Sequence, residues 1–447
     1  AGLVAAAEVA SRRRGQGVEG RTPAFSRFQA TYLVGYYLAM LGDWLQGPYV
    51  YALYKDQYGY TGGQVAQLFV CGFLSSMVFG TFVGSLADKL GRKRMCLLYS
   101  VLYIISCGTK MVNSFWVLML GRFTGGISTS LLFSTFESWM VCEHLKRGFT
   151  PDQLTETFSR ATFGNGVVAI IAGLVANAAA EEFGHDDKPN YVAPFVVAMV
   201  PLALLGVVVL KFWPENYGDA GAEGCSAITR AWMVVRSDPK IAALGAAQSL
   251  FEGSMYIWVL LWTPALMQTT SEGESSSDYL GLIFAVFMIC VMLGSSIFAI
   301  SAAALRQHFV YIPLGVGLAA TAANGAAAVM LDDKLAVFIW FLVFEGCVGV
   351  FYPAYGRIKS EIIAEEVRSA VMTMFRVPLN GVVVAVLLQM DNLSIETMLK
   401  LCALGHLLSL ACYGLFLYFG PWARRGRKGD SPYQELTSAF ALEDGGV

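Results

Sequence analysis

The sequence predicts an all-α membrane protein in which twelve helices form two six-helix halves related by a pseudo-two-fold axis. Three observations carry this. Apolar runs long enough to cross a bilayer follow one another along the chain, charged residues make up only 14% of the 447 positions and gather between those runs, and short patterns in the first six runs recur in the last six. A spanning helix needs about 20 mostly apolar residues, and an ordinary soluble domain carries about a quarter charged residues.

In the first half the runs fall near residues 28–53, 64–87, 95–112, 115–140, 158–180 and 192–213. The first carries Asp43 and Gln46, the second ends at the charged stretch after Ala87, and the third starts beyond Arg92, Lys93 and Arg94. The fourth contains Arg122 and Glu137, the fifth Arg160 and Asn165, and the sixth ends at Trp213-Pro214. In the second half the runs fall near 239–267, 278–301, 309–330, 335–356, 370–390 and 397–419, with Glu252 in the seventh, Glu345 in the tenth, and Arg376 and Asn380 in the eleventh. Residues 28–213 and 239–420 are thus read as the two halves. Residues 214–238, rich in Gly, Ala and charge, form the central loop, within which Cys225–Arg236 has the pattern of a short amphipathic helix lying on the membrane surface.

Lys and Arg favour cytoplasmic loops. Here Lys89, Arg92, Lys93, Arg94, Lys146, Arg147, Arg230, Arg236, Arg306 and Arg368 follow even-numbered runs, whereas the odd-numbered loops hold little beyond Lys55, Lys188 and Lys334. The leading segment 1–27 and the tail 421–447 are therefore expected on the cytoplasmic side. The apolar start, Ala1–Ala10, fits the end of a signal, a transit peptide or a further apolar segment equally well.

The internal repeat is local. Asn165-Gly166-Val167-Val168 matches Asn380-Gly381-Val382-Val383, with Arg160 and Arg376 about one helical turn earlier. Leu45-Gln46-Gly47 pairs with Phe251-Glu252-Gly253, and Gly80 with Gly294. Duplicated halves are a hallmark of transporter folds with a midplane site.

Charged groups inside a span cost about 2.5–3.5 kcal/mol each on insertion scales, so they turn toward the bundle interior and mark a pathway. The acidic candidates are Asp43, Glu137, Glu252 and Glu345; the basic ones are Arg122, Arg160 and Arg376. Arg376 and Asn380 share one face of their helix, and Asn165 takes the symmetry-related place across the pathway. Guanidinium and amide donors from both halves suit a small oxyanion, with a proton carried on Glu252 or Asp43. The substrate candidates are Arg376, Asn380, Asn165, Arg160 and Gln46.

Gly84-Ser85-Leu86-Ala87-Asp88-Lys89-Leu90-Gly91-Arg92-Lys93 resembles the G-x-x-x-D-[RK]-x-G-[RK]-[RK] signature of the major facilitator superfamily, and Arg122-Phe123-Thr124-Gly125-Gly126 resembles its R-x-x-x-G element. The resemblance implies the twelve-helix major facilitator fold. It also implies a cytoplasmic latch formed by Gly84, Asp88, Lys89, Gly91, Arg92 and Lys93. Physically, Gly84 permits a neighbouring helix to approach, Asp88 suits the positive end of a helix, and Gly91 permits a tight turn. The corresponding site in the second half keeps little beyond Arg306.

Further stretches resemble the eukaryotic molybdate-anion transporter family: Gly42-Asp43-Trp44-Leu45-Gln46-Gly47-Pro48-Tyr49, Ser134-Thr135-Phe136-Glu137-Ser138-Trp139, Trp213-Pro214-Glu215-Asn216-Tyr217, Leu250-Phe251-Glu252, Leu261-Trp262-Thr263-Pro264 and Phe375-Arg376-Val377-Pro378-Leu379. This implies a multi-pass protein of the cell membrane that takes up molybdate by alternating access. The residues alone go no further than a small anion and offer no basis for excluding sulfate.

The net charge of -2 gives no basic excess for nucleic acid. The nine cysteines lack paired spacing, the four histidines form no hydrolase constellation, and no Walker-type loop is present. The chain is therefore expected not to be an enzyme and to need no cofactor or metal. Its expected partners are the oxyanion and the bilayer, with no obligate protein partner. Two alternatives stay open: a proton-coupled carrier of another anion or an organic solute using Asp43, Glu252 and Glu345, and a solute receptor signalling through Trp422–Val447.

Overall fold

The computed structural model describes residues 22–184, 188–218, 224–268, 279–363, 365–389 and 392–420. The tail 421–447 and most of the leading segment lie outside these, as do the expectations attached to them. The first half comprises α1 (Pro23–Trp44), α2 (Gly62–Gly80), α3 (Val83–Leu90), α4 (Arg92–Thr109), α5 (Phe115–Lys146), α6 (Pro151–Glu182) and α7 (Ala193–Phe212). After α8 (Gly224–Ser237), the second half comprises α9 (Pro239–Gln268), α10 (Leu280–Leu305), α11 (Ile312–Val329), α12 (Lys334–Ile362), α13 (Glu365–Leu387) and α14 (Ile395–Phe419).

Where the structure departs from the apolar runs, backbone chemistry explains it. The first run does not continue as one helix to residue 53. Pro48, which has no amide hydrogen to donate, falls in a 3-10 turn over Gly47–Tyr49, and a π turn follows over Leu53–Gln57. The second run breaks at Thr81–Phe82, where the Thr81 hydroxyl donates to the Val78 carbonyl at 2.7 Å, and α3 then carries the chain to Leu90. Elsewhere helices outlast the apolar residues, because a helix stops at its cap. Thr150 and Gln153 form a capping box ahead of α6 with Pro151 at its first position, and Asp333 caps α12 by accepting from the Ala336 amide at 3.0 Å.

Nine helices among the described residues are long and apolar enough to cross a membrane. The three principal helices outside that set are α1, α4 and α13. Of these, α4 opens on Arg92, Lys93 and Arg94, and α13 opens on Glu365, Glu366 and Arg368.

The packing repeats between halves. In the first, α1 packs on α6 and α7, α2 on α5, and α4 on α5 and α7; in the second, α9 packs on α13 and α14, α10 on α12, and α11 on α12 and α14. The halves meet through α6 on α10 and α2 on α13, two contacts exchanged by the same two-fold relation. Small residues bring these backbones together. A Cβ on Gly281 would lie 2.4 Å from the Gly173 carbonyl oxygen, and one on Gly294 would lie 2.1 Å from that of Gly346. Gly80, matched to Gly294 by sequence, makes no such seam, since Ser130 Oγ is its nearest neighbour at 3.6 Å; in the first half Gly126 meets the Gly72 carbonyl instead.

The helix expected in the central loop is α8, which packs against α13. Ala231 is buried with Ile241, Ile363, Val371 and Phe375, while Trp232 and Met233 face outward.

Candidate functional site

The candidate residues lie on helices that meet between the halves, where α6 packs on α10 and α2 on α13. At the face away from Lys89–Arg94, the Gly281 amide donates to the Tyr49 hydroxyl across the interface at 3.3 Å, and the Trp44 and Phe284 rings lie 5.7 Å apart. Deeper in, Phe73 of α2 meets Tyr256 of α9 edge-on at 5.6 Å. Toward the basic face, Arg160 and Arg376 remain exposed. The Tyr49–Gly281 and Trp44–Phe284 contacts thus join the halves at the face away from Lys89–Arg94.

On the first-half side, Trp44 Nε1 donates to Asn165 Oδ1 at 2.9 Å. An indole N–H only donates, so the bond fixes the amide orientation and leaves the Asn165 NH2 group as the free end. Asp43 accepts a short hydrogen bond from the Tyr103 hydroxyl. Gln46 is buried and donates back to the Gly42 carbonyl at 2.9 Å. Arg160 pairs with Glu156 at 3.0 Å on its own helix, and its carbonyl accepts from the Tyr37 hydroxyl at 2.6 Å. Glu137 lines a cavity of about 130 Å³ together with Tyr32, Tyr36, Phe133 and Phe158.

Arg122 is directed elsewhere. Its guanidinium lies over the Phe69 ring at 4.6 Å and donates to the Leu68 carbonyl at 3.2 Å, within the first half. Gly72 makes room for it: a Cβ there would lie 2.8 Å from an Arg122 nitrogen.

On the second-half side, Glu252 accepts from Gln248 Nε2 at 2.8 Å, and Gln248 Oε1 accepts from Lys359 Nζ at 3.1 Å. All three are buried. Arg376 is exposed, follows Phe375, whose carbonyl accepts from the Ser249 hydroxyl at 2.7 Å, and forms no contact ion pair with any described residue. Asn380 follows one turn later on α13 and is half-buried. Glu345 is buried and has no hydrogen bond or ion pair among the described residues.

Sequence reasoning missed Lys359 and Gln248. Lys359 sits beyond the end of the tenth apolar run and reads as a flanking charge, although Gln248 and Glu252, four residues apart on one helix face, were a usable signal. It also missed Trp44 and Tyr103 as orienting donors.

The motif between the second and third spans is clasped by the segment after α7. Arg92 pairs with Asp88 at 2.7 Å and donates to the Ser138 carbonyl at 3.2 Å. Glu215 accepts from the Lys93 amide at 2.8 Å, Lys93 Nζ donates to the Leu210 carbonyl at 3.0 Å, and the Gly218 amide donates to the Asp88 carbonyl at 3.2 Å. Trp213 stacks on Trp139 at 3.7 Å, and Asn216 donates to the Trp139 carbonyl at 3.1 Å. Gly91 adopts φ +105°, and a Cβ there would lie 2.6 Å from the Glu215 carboxyl carbon. Lys89 is exposed, and nothing lies within 4 Å of a Cβ built on Gly84.

A family profile described as sugar transporters with 12 transmembrane spans matches residues 1–326. The molybdate-anion transporter of Xenopus tropicalis is 35% identical over 410 residues, covering 87% of this chain and 86% of its own length. That of Takifugu rubripes is 35% identical over 393 residues, covering 80% of this chain and 78% of its own. Among solved structures, the peptide transporter POT in complex with sulfate superposes with TM-score 0.67 at 13% identity, over 90% of this chain and 96% of that one. A bacterial homologue of the human lysosomal transporter Spinster, inward-facing and occupied, gives 0.67 at 13% identity over 92% and 100%. These structural likenesses establish the fold, and the sequence relatives establish the lineage. The chain belongs to the molybdate-anion transporter family of the major facilitator superfamily and is a multi-pass membrane transporter.

Proposed function

We propose that the protein takes up molybdate across the cell membrane by alternating access, its basic face cytoplasmic, with residues 28–213 and 239–420 rocking about a midplane site. The anion is held by Arg376 and Asn380 on one side and the Asn165 amide on the other, with Arg160 toward the basic face and the buried Gln46 toward the Tyr49 end. Arg376 carries the reading: an exposed guanidinium, on a helix that meets the other half, that no described carboxylate neutralises at contact distance. The names of the relatives support molybdate as the anion. Glu252 is the proposed proton carrier, offsetting the anion's charge as both cross, and Asp43 and Glu345 are the other carboxyls along the route. Gly84, Asp88, Lys89, Gly91, Arg92 and Lys93 act as the latch that engages the second half when the basic face closes.

Molybdate uptake into depleted cells or proteoliposomes, followed by mass detection, tests this. Saturable uptake that Arg376→Ala abolishes while the variant remains folded is the expected result. Normal uptake by that variant removes the proposed site. Competition by tungstate, sulfate and phosphate at several pH values ranks the anions and exposes any proton requirement.

One observation favours a second reading, carriage of a small organic cation. Glu137 is exposed in an aromatic-lined cavity with Tyr32 and Tyr36 and forms no ion pair among the described residues. Displacement of a bound probe by organic cations and not by oxyanions selects that reading.

A further inference from the structure

Lys359 lies three residues from the end of α12, where a lysine ordinarily extends its head to water. Here it is only 8% exposed and points inward to Gln248 Oε1 at 3.1 Å. The other end of the same amide donates to Glu252 at 2.8 Å. An amide side chain both accepts and donates, so Gln248 links a cation to a carboxylate while keeping the two out of direct contact. Arg376 stands beside this chain, because the carbonyl of its neighbour Phe375 accepts from the hydroxyl of Ser249, next to Gln248, at 2.7 Å. Among the described residues, two cations, Lys359 buried and Arg376 exposed, therefore stand near a single buried carboxylate, and an anion would balance that excess.

Resting on the reading that Arg376 meets the anion, we propose that Lys359 is the second cation of the same site, tethered by Gln248 while the site is empty, and that it selects doubly over singly charged tetrahedral oxyanions. A single guanidinium with amide donors satisfies a singly charged oxyanion. A second cation adds little for such an anion and much for a dianion, because Coulomb attraction scales with the product of the charges.

Perrhenate is tetrahedral like molybdate but carries one charge fewer, so the two separate charge from shape. The measured quantity is the ratio of the perrhenate inhibition constant to the molybdate KM in uptake by the full chain. Lys359→Gln is expected to lower this ratio about tenfold or more, as removal of one partner from a desolvated charge contact does, while Lys359→Arg leaves it near the wild-type value. A purely structural tether would weaken both anions alike and leave the ratio unchanged, which overturns the assignment. Arg376→Ala separates the two readings. If it abolishes uptake while Lys359→Gln keeps the wild-type ratio, only the role of Lys359 falls; if it transports normally, the site itself falls. Because Lys359→Gln leaves Glu252 buried without its cation and Glu252→Gln removes the proposed proton carrier, the second arm reads equilibrium binding in place of uptake: the ratio of perrhenate to molybdate Kd for the double variant with Glu252→Gln, compared against Glu252→Gln alone. The same fall in ratio is expected there, and an unchanged ratio again overturns the proposal.

Discussion

At the scale of single residues, what a polar side chain can offer depends on what its other end already holds. Asn165 gives its carbonyl oxygen to Trp44 and leaves its NH2 as the end that the proposed site uses. Asn165→Asp preserves the acceptor that Trp44 needs but turns the free end into a negative charge, and like charges facing each other cost several kcal/mol. Anion uptake by that variant should fall below detection with its melting behaviour intact. Trp44→Phe removes only the orienting bond, worth about 1 kcal/mol, so its expected effect is a roughly fivefold rise in KM. Equal transport by wild type and Asn165→Asp would show that the amide faces no anion.

At the scale of elements, the turn between α3 and α4 and the segment after α7 are built for each other. The Gly91 backbone conformation is one that L residues rarely adopt, at a cost of about 1–3 kcal/mol, and Glu215 occupies the space a side chain would need. Gly91→Ala should destabilise the protein by about that amount and speed proteolytic cleavage within Trp213–Gly218. Gly84 makes the opposite case, since its surroundings are empty in this conformation. Gly84→Ala should leave thermal stability near wild type yet slow uptake, because the proposed latch brings a helix against Gly84 only in the other state of the cycle. A matched fall in stability for both variants would contradict that division of labour.

At the scale of the whole molecule, the conformation is set by which ends of the two halves touch. Gly173 and Gly281 let α6 and α10 meet backbone to backbone at the face away from Lys89–Arg94, beside the Tyr49 hydrogen bond. Gly281→Val places a branched side chain where the Gly173 carbonyl sits, so the seal should not form and the population should shift toward the state open at that face. A reporter cysteine from Phe284→Cys, behind the seal, should then react with an impermeant maleimide added at that face, and stay protected when Gly281 is kept. Protection in both backgrounds would show that the seal lies elsewhere.

Much of this architecture was legible in the sequence. Apolar run length is a local property that the bilayer turns into a fold constraint, because every backbone polar group in lipid must be satisfied within its own helix. Succession of runs, the Gly84–Lys93 motif and the repeated Asn-Gly-Val-Val therefore determined helix order, the two-fold plan and the superfamily. The direction of each polar side chain depends on neighbours distant in sequence, and only the tertiary structure decided it. Arg122, which reads as a pathway charge, is held against α2 by Leu68 and Phe69. Lys359, which reads as a flanking charge, is drawn inward by Gln248. A helix displays its side chains all round, and which side faces the pathway, a partner helix or lipid is fixed when the helices pack.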